Sequence, residues 1–73
     1  MNEKEELIQE LQRVKYRIQI LDMIEERLLK MRELAVEALE NELNKAEREE
    51  IGRKIQKLQQ EIILLQMDKT NQQ

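Results

Sequence analysis

The apolar residues of this chain recur at alternating intervals of three and four. Two series carry this spacing, and their members in chain order are Leu7, Leu11, Val14, Ile18 and Leu21, then Ile51, Ile55, Leu58, Ile62 and Leu65. Because one helical turn takes 3.6 residues, each series lies along one face of an α-helix. The spacing therefore predicts an all-α protein of two coiled-coil-like helices.

Composition supports long helices in a single small domain. The 73 residues contain no Pro and one Gly, and 40% of them are charged while 1% are aromatic. Chains rich in Glu, Lys, Arg, Gln and Leu favour helix, and a chain of this size has little core of its own. Disorder is the alternative for so charged a chain, and the regular apolar series disfavours it.

The region between the two series contains a helix break without Pro or Gly. Asn44 stands three residues before Glu47, which is the spacing of a capping box that starts a new helix. Asn41 is expected to supply the left-handed residue that ends the first helix. We predict a helix over about 3–41, a turn over about 41–44, a helix over about 45–67 and a disordered tail over 68–73. One continuous helix is the alternative.

An antiparallel hairpin turning at Leu43 aligns residues whose numbers sum to about 86. After a three-residue step from Leu21, the first series resumes as Ile24, Leu28, Met31, Ala35 and Ala38. The sum then predicts these pairs: Ile51 with Ala35, Ile55 with Met31, Leu58 with Leu28, Ile62 with Ile24, and Leu65 with Leu21.

That alignment leaves four apolar residues of the first helix without a partner: Leu7, Leu11, Val14 and Ile18. An apolar stripe of this kind favours association, because water does not solvate it well. We therefore predict that these residues form an interaction surface. The hairpin is expected to assemble into a helical-bundle homo-oligomer, a dimer or larger, or to pack on another helical protein.

The segment from Leu28 to Ile62 resembles bacterial flagellin, in the N-terminal part of the conserved helical core domain. The likeness rests on Arg-Glu-Leu-Ala-Val at 32–36 and on the spaced isoleucines that follow Glu47 and Arg48, and it covers about residues 21–63. It implies a helix-turn-helix whose surface serves subunit packing. It also places Lys30 and Leu34 where flagellins meet the animal innate immune receptor, with Lys54 replacing a typical acidic residue.

The resemblance thereby makes Leu34 a further interaction residue, one that supports helix packing in an oligomer. It also implies a bacterial structural protein. Localisation is expected to be cytoplasmic, with export in the flagellar filament as the alternative. The polar, acidic N-terminal segment is not typical of a signal peptide.

Charge and hydropathy exclude two kinds of partner. Thirteen basic and sixteen acidic residues give a net charge of -3, whereas nucleic-acid binding needs a basic face. The longest apolar run, Ile62 to Leu65, is far shorter than the ~20 residues of a membrane span. We predict neither a nucleic-acid partner nor a membrane partner.

The sequence lacks most of the residue types that enzymes use for catalysis. The chain lacks His, Cys and Ser, so the usual nucleophile–base pairs and soft metal sites cannot form. Adjacent acids such as Glu25 and Glu26 point about 100° apart on a helix. Short sporulation-type aspartyl-phosphate phosphatases are also helical hairpins, but their Ser-Gln-Glu-Leu-Asp signature is absent.

We therefore predict no catalytic, cofactor-binding or metal-binding residues and no cofactor. The predicted function is that of a non-enzymatic structural or interaction protein, a flagellin-like helical hairpin that self-associates or packs on partner helices. The alternative is a small cytoplasmic regulator or adaptor in flagellar or sporulation control, which docks on a target through its apolar stripe.

Overall fold

The computed structural model describes residues 2–71, which form two helices packed against each other. Helix α1 spans Glu3–Glu40, helix α2 spans Lys45–Asn71, and residues 41–44 connect them. The molecule is an elongated antiparallel hairpin with extents of 62 × 18 × 10 Å. The two predicted helices and the all-α fold class are confirmed, and the alternative of one continuous helix is wrong.

Helix α1 begins at an asparagine cap. Asn2 has an extended backbone, and its Oδ1 accepts from the backbone N–H of Glu5 at 2.8 Å. The backbone N–H of Glu6 donates to the Asn2 carbonyl at 3.1 Å. The first turn also carries Glu3, Glu5 and Glu6, whose negative charge is stabilised by the positive end of the helix dipole. Local sequence alone thus specifies where α1 starts.

The predicted capping box at the start of α2 is present in full. The backbone N–H of Glu47 donates to Asn44 Oδ1 at 2.8 Å, and the backbone N–H of Asn44 donates to Glu47 Oε1 at 3.1 Å. Two backbone donors that the helix cannot satisfy internally are thereby paired. This pair of side chains lets the chain start a second helix without Pro or Gly.

The prediction for Asn41 is wrong. Its backbone is extended, with φ of -111° and ψ of 147°, and none of the described residues 2–71 has a positive φ. Asn41 ends α1 through its amide group instead: Nδ2 donates to the Glu37 carbonyl at 2.9 Å, beside the backbone N–H at 3.2 Å. Both donors reach one orphan carbonyl of the last turn, so no left-handed residue is needed.

The side chains between the two helices form the seam. On α2 the predicted series is confirmed, since all five members are buried or half-buried. On α1 the seam follows steps of three and four without interruption. Its buried or half-buried members there are Arg17, Ile20, Ile24, Arg27, Met31, Leu34 and Ala38.

The predicted α1 face is therefore partly wrong. Leu21, Leu28 and Ala35 are exposed, and the residues directly before them occupy the seam instead. The predicted three-residue step after Leu21 is not needed, because Ile20 and Ile24 belong to one regular series. The cause of the misassignment is Arg27, a charged residue at a seam position, which made Leu28 look like the next apolar member of the series.

The predicted alignment of the two helices is close to that in the structure. Arg27 Nε donates to Glu61 Oε1 at 3.0 Å, and the hydroxyl of Tyr16 donates to the carboxylate of Asp68. The residue numbers of these two pairs sum to 88 and 84, on either side of the predicted 86. The axial alignment was thus predicted well, whereas the face of α1 was misplaced by about one residue.

Helix α2 is longer than predicted. It continues through residues 68–71, which were predicted to be a disordered tail, and residues 72–73 lie outside the described part of the chain. The hydrogen bond from Tyr16 gives Asp68 a partner on α1, which helps to hold the last turns of α2 against the first helix.

Candidate interaction surface

Helix α1 carries an apolar row that the hairpin leaves open. We call it the stripe, and its members are Leu7, Leu11, Val14, Ile18, Leu21 and Leu28. Each of these side chains is between 41% and 65% exposed. Glu25 occupies the one intervening position of the series. A contiguous exposed row of this length differs from the scattered single apolar residues of an ordinary surface and marks a candidate interaction site.

The stripe lies on one flank of the hairpin. Each of its members directly follows a seam position, as Leu21 follows Ile20 and Leu28 follows Arg27. One residue turns about 100° around an α-helix, so the stripe faces sideways relative to α2. The stripe is therefore separate from the surface that holds the hairpin together.

The N-terminal part of α1 extends beyond the described end of α2. In the observed alignment Asn71 lies at the level of residue 15, so we call residues 3–14 the overhang. The seam spacing continues through the overhang, but its positions there carry only charged side chains: Glu3, Glu6, Glu10 and Arg13. Glu10 and Arg13 form an ion pair at 2.8 Å. The seam face of the overhang is thus charged and readily solvated, whereas its apolar face is the stripe.

The stripe adjoins a groove between the two helices. Leu28 and Ile63 stand at this groove, and both are exposed. Its full lining is Leu28, Met31, Gln56, Gln59, Gln60, Ile62 and Ile63. The polar members of that lining are glutamines, which carry no charge. The groove itself is therefore apolar and uncharged.

The opposite flank has a different character. The surface there surrounds Leu29, Leu34 and Leu58 with charged side chains, which are Glu26, Arg27, Lys30, Glu33, Lys54, Lys57 and Glu61. Lys30 and Glu33 pair at 3.5 Å while both stay more than half exposed. Such a flank is well solvated, so the two sides of the hairpin differ sharply in their suitability for burial.

The sequence prediction for Leu34 needs correction. Leu34 is 6% exposed, because it occupies a seam position of α1 and packs within the hairpin. A side chain buried there is not available to another molecule. The four other predicted interaction residues are exposed on α1 as members of the stripe, and their binding role stays a prediction. Sequence reasoning missed Leu21 and Leu28, although the same heptad spacing, continued past Ile18, passes through both.

The titratable groups of the hairpin form surface pairs. The hydrogen bond from Tyr16 to the Asp68 carboxylate raises the pKa of the tyrosine above its ordinary value of 10.0, because ionisation would break that bond and oppose two negative charges. The Arg53 guanidinium, 2.6 Å from Glu50, lowers the pKa of that glutamate. Both pairs lie at the solvent surface; the first joins α1 to α2, and the second lies within α2.

The described residues form neither a metal-binding cluster nor a membrane-spanning helix. Over residues 2–71, no three side chains of the kind that hold metal ions are grouped closely enough to bind one. Across the same range, neither helix has the length and apolar character needed to cross a membrane.

No protein-family model, curated protein or solved structure matches this chain. The likeness of residues 21–63 to flagellin therefore stays a prediction. The case for function depends on the surface of the hairpin itself.

Proposed function

We propose that this chain is a non-enzymatic interaction protein, a helical hairpin that self-associates through the stripe. The observation that carries the proposal is the row of six exposed apolar side chains along α1, on a flank that takes no part in the hairpin's own seam. Moving such a side chain from full exposure to full burial is worth about 1.5–3 kcal/mol, and each of these six still has roughly half of that exposure to lose. The stripe therefore provides a substantial driving force for association.

The surface area of the hairpin supports the same conclusion. A compact globular protein of 8.9 kDa exposes about 4,800 Å². This hairpin exposes 6364 Å². The excess of about 1,600 Å² is roughly twice what each partner buries in an interface of standard size. An interface of standard size on one flank would therefore remove about half of this excess from each chain.

The size of the hairpin's core adds a third argument. Among the described residues, the buried apolar side chains are Ile20, Leu34, Ile51 and Ile62. A core this small gives marginal stability to an isolated chain. When two stripes pair, the stripe side chains of both partners add to this small core.

A second candidate function is that of an adaptor which binds a helix of another protein. The observation that favours it is the open groove at Leu28 and Ile63, because an amphipathic helix binds in such a groove through its apolar face. Under either function we propose a cytoplasmic location. The relationship to flagellin, and through it a structural role in bacteria, belongs to the first candidate.

Sedimentation of the purified chain over a range of concentrations separates the two functions. Self-association predicts a dimer or larger species for the natural chain and a monomer for Leu11→Asp/Ile18→Asp, which places charge in the stripe. The matched control is Leu39→Asp/Leu64→Asp, because both leucines are exposed and neither belongs to the stripe. A natural chain that stays monomeric at high micromolar concentration contradicts self-association and favours the adaptor.

A further inference from the structure

We infer that the occupant of the stripe is a second copy of this chain in antiparallel orientation, with each overhang lying across the groove of its partner. This inference rests on the proposed function and adds to it the identity of the partner, its direction and its register. A two-fold axis relates the copies, so the same residues contribute on both sides.

A partner helix that extended the hairpin's own seam along the overhang would not cover the stripe. A helix approaching along the line of α2 would meet Glu6, Glu10 and Arg13, which occupy the seam positions there. The stripe lies about 100° away from that line. Its occupant must therefore approach from the flank, where the neutral groove also opens.

Charges within the stripe's series select the antiparallel direction. The series begins at Lys4, before Leu7, and contains Glu25 between Leu21 and Leu28; both charged residues are exposed. Parallel copies would bring Lys4 beside Lys4 and Glu25 beside Glu25. Antiparallel copies bring the opposite charges toward each other. Like charges across an interface disfavour the wrong pairing, so the antiparallel direction is preferred.

The heptad spacing allows a small set of antiparallel registers, in which the numbers of facing stripe residues sum to 25, 32 or 39. The sum of 25 leaves Leu28 and the groove uncovered. The sum of 39 buries Glu25 against Val14 in the middle of the contact. The sum of 32 places Glu25 opposite the partner's Leu7, toward the end of the contact rather than its middle, and one turn from the partner's Lys4. We therefore assign the register of 32.

This register matches the shape of the hairpin. Val14 faces the partner's Ile18 next to the two-fold axis, and Leu11 faces the partner's Leu21. Leu7 and Leu11 then lie at levels on either side of the partner's Ile63, which is exposed at the groove. The overhang of each chain, about 18 Å long, covers apolar surface that the other hairpin leaves open.

Disulfide trapping in the full chain tests the register. The chain contains no cysteine, and Ile8, Lys15 and Asp22 are exposed residues that directly follow Leu7, Val14 and Leu21 of the stripe, so they border the contact. In the register of 32, Lys15 lies beside its own copy and Ile8 lies beside the partner's Asp22, each pair being offset along the axis by about 3 Å. Ile8 and Asp22 do not lie beside their own copies, because those pairs are offset by about 24 Å and about 18 Å. Lys15→Cys should therefore form covalent dimers alone, whereas Ile8→Cys and Asp22→Cys should stay unlinked separately and form covalent dimers when mixed.

Each other result has a distinct meaning. Covalent dimers formed only when Ile8→Cys is mixed with Lys15→Cys indicate the register of 25, those formed only when Lys15→Cys is mixed with Asp22→Cys indicate the register of 39, and either overturns the assignment. Crosslinking of each single variant with itself, or of no combination while sedimentation reports a dimer, overturns the antiparallel arrangement. If sedimentation reports a monomer for the natural chain, the proposed function itself fails, and the two failures are thereby distinguished.

Discussion

Arg27 on α1 and Glu61 on α2 form an ion pair across the hairpin, with Nε and Oε1 3.0 Å apart. The arginine occupies a seam position, where heptad spacing usually places an apolar residue. Its guanidinium also donates to the Met23 carbonyl at 3.0 Å, which fixes its orientation along α1. The side chains are 25% and 36% exposed, so the pair is partly screened by water and contributes to alignment more than to stability.

We predict a modest coupling free energy between Arg27 and Glu61. A double-mutant cycle with Arg27→Ala and Glu61→Ala should give about 0.5–1 kcal/mol in denaturant unfolding, because the pair is only partly withdrawn from water. The matched cycle at Lys30 and Glu33, which are more exposed and lie on one helix, should give a smaller value. Equal coupling in both cycles would show that the position in the seam adds nothing.

Replacing a leucine of α1 with alanine should reduce stability far more in the seam than on the exposed surface. Leu34→Ala should lower the free energy of unfolding by about 2–5 kcal/mol, since it leaves a cavity among packed side chains. Leu39, which is 86% exposed, provides the control with identical chemistry. Leu39→Ala should change stability by less than about 0.5 kcal/mol. Similar losses for the two variants, measured at one chain concentration, would mean that the seam has been assigned to the wrong face.

The capping box should be the main local determinant of the turn. Asn44→Ala removes the oxygen that accepts from the Glu47 backbone N–H, and helix caps of this type are worth about 0.5–2 kcal/mol. Asn44→Asp retains an acceptor and should restore most of that stability. Chemical denaturation of the two variants measures the difference. An unchanged midpoint for Asn44→Ala would show that the turn is fixed by packing of the helices instead.

Tyr16 should titrate above its ordinary pKa because its hydroxyl donates to Asp68. The folded-state pKa is raised, so the stabilisation from this bond is present below pH 10 and is lost as the pH rises through the folded-state value. The chain contains one tyrosine, which makes ultraviolet absorbance a direct readout. Asp68→Asn should move the titration back toward the ordinary value. Identical titrations for both proteins would argue against the bond in solution.

The sequence was most informative where structure is determined locally. The capping box of Asn44 and Glu47 could be predicted because both residues lie within one helical turn. The α2 series could be predicted because each of its seam positions is apolar. The α1 face was misread because Arg27 takes an apolar slot through a contact with Glu61, 34 residues away. Such a pairing depends on the alignment of the helices, which local spacing does not reveal.

The candidate surface was predictable in part for a related reason. Leu7, Leu11, Val14 and Ile18 stand out because their spacing is regular and the hairpin alignment gives them no partner. Leu21 and Leu28 were missed because an error of one residue in the seam moves a side chain about 100° around the helix. The extension of α2 to Asn71 was missed because no apolar residue marks its last turn.

The dependence of thermal unfolding on chain concentration shows whether one folded chain binds another through the stripe. A hundredfold increase in concentration stabilises a folded dimer by about 2.7 kcal/mol, which should raise its Tm by about 5–10 °C. Circular dichroism of the natural chain should show this rise, whereas Leu11→Asp/Ile18→Asp should unfold at one lower temperature throughout. A natural chain whose Tm does not change with concentration, and equals that of the variant, would show that folded chains do not associate through the stripe.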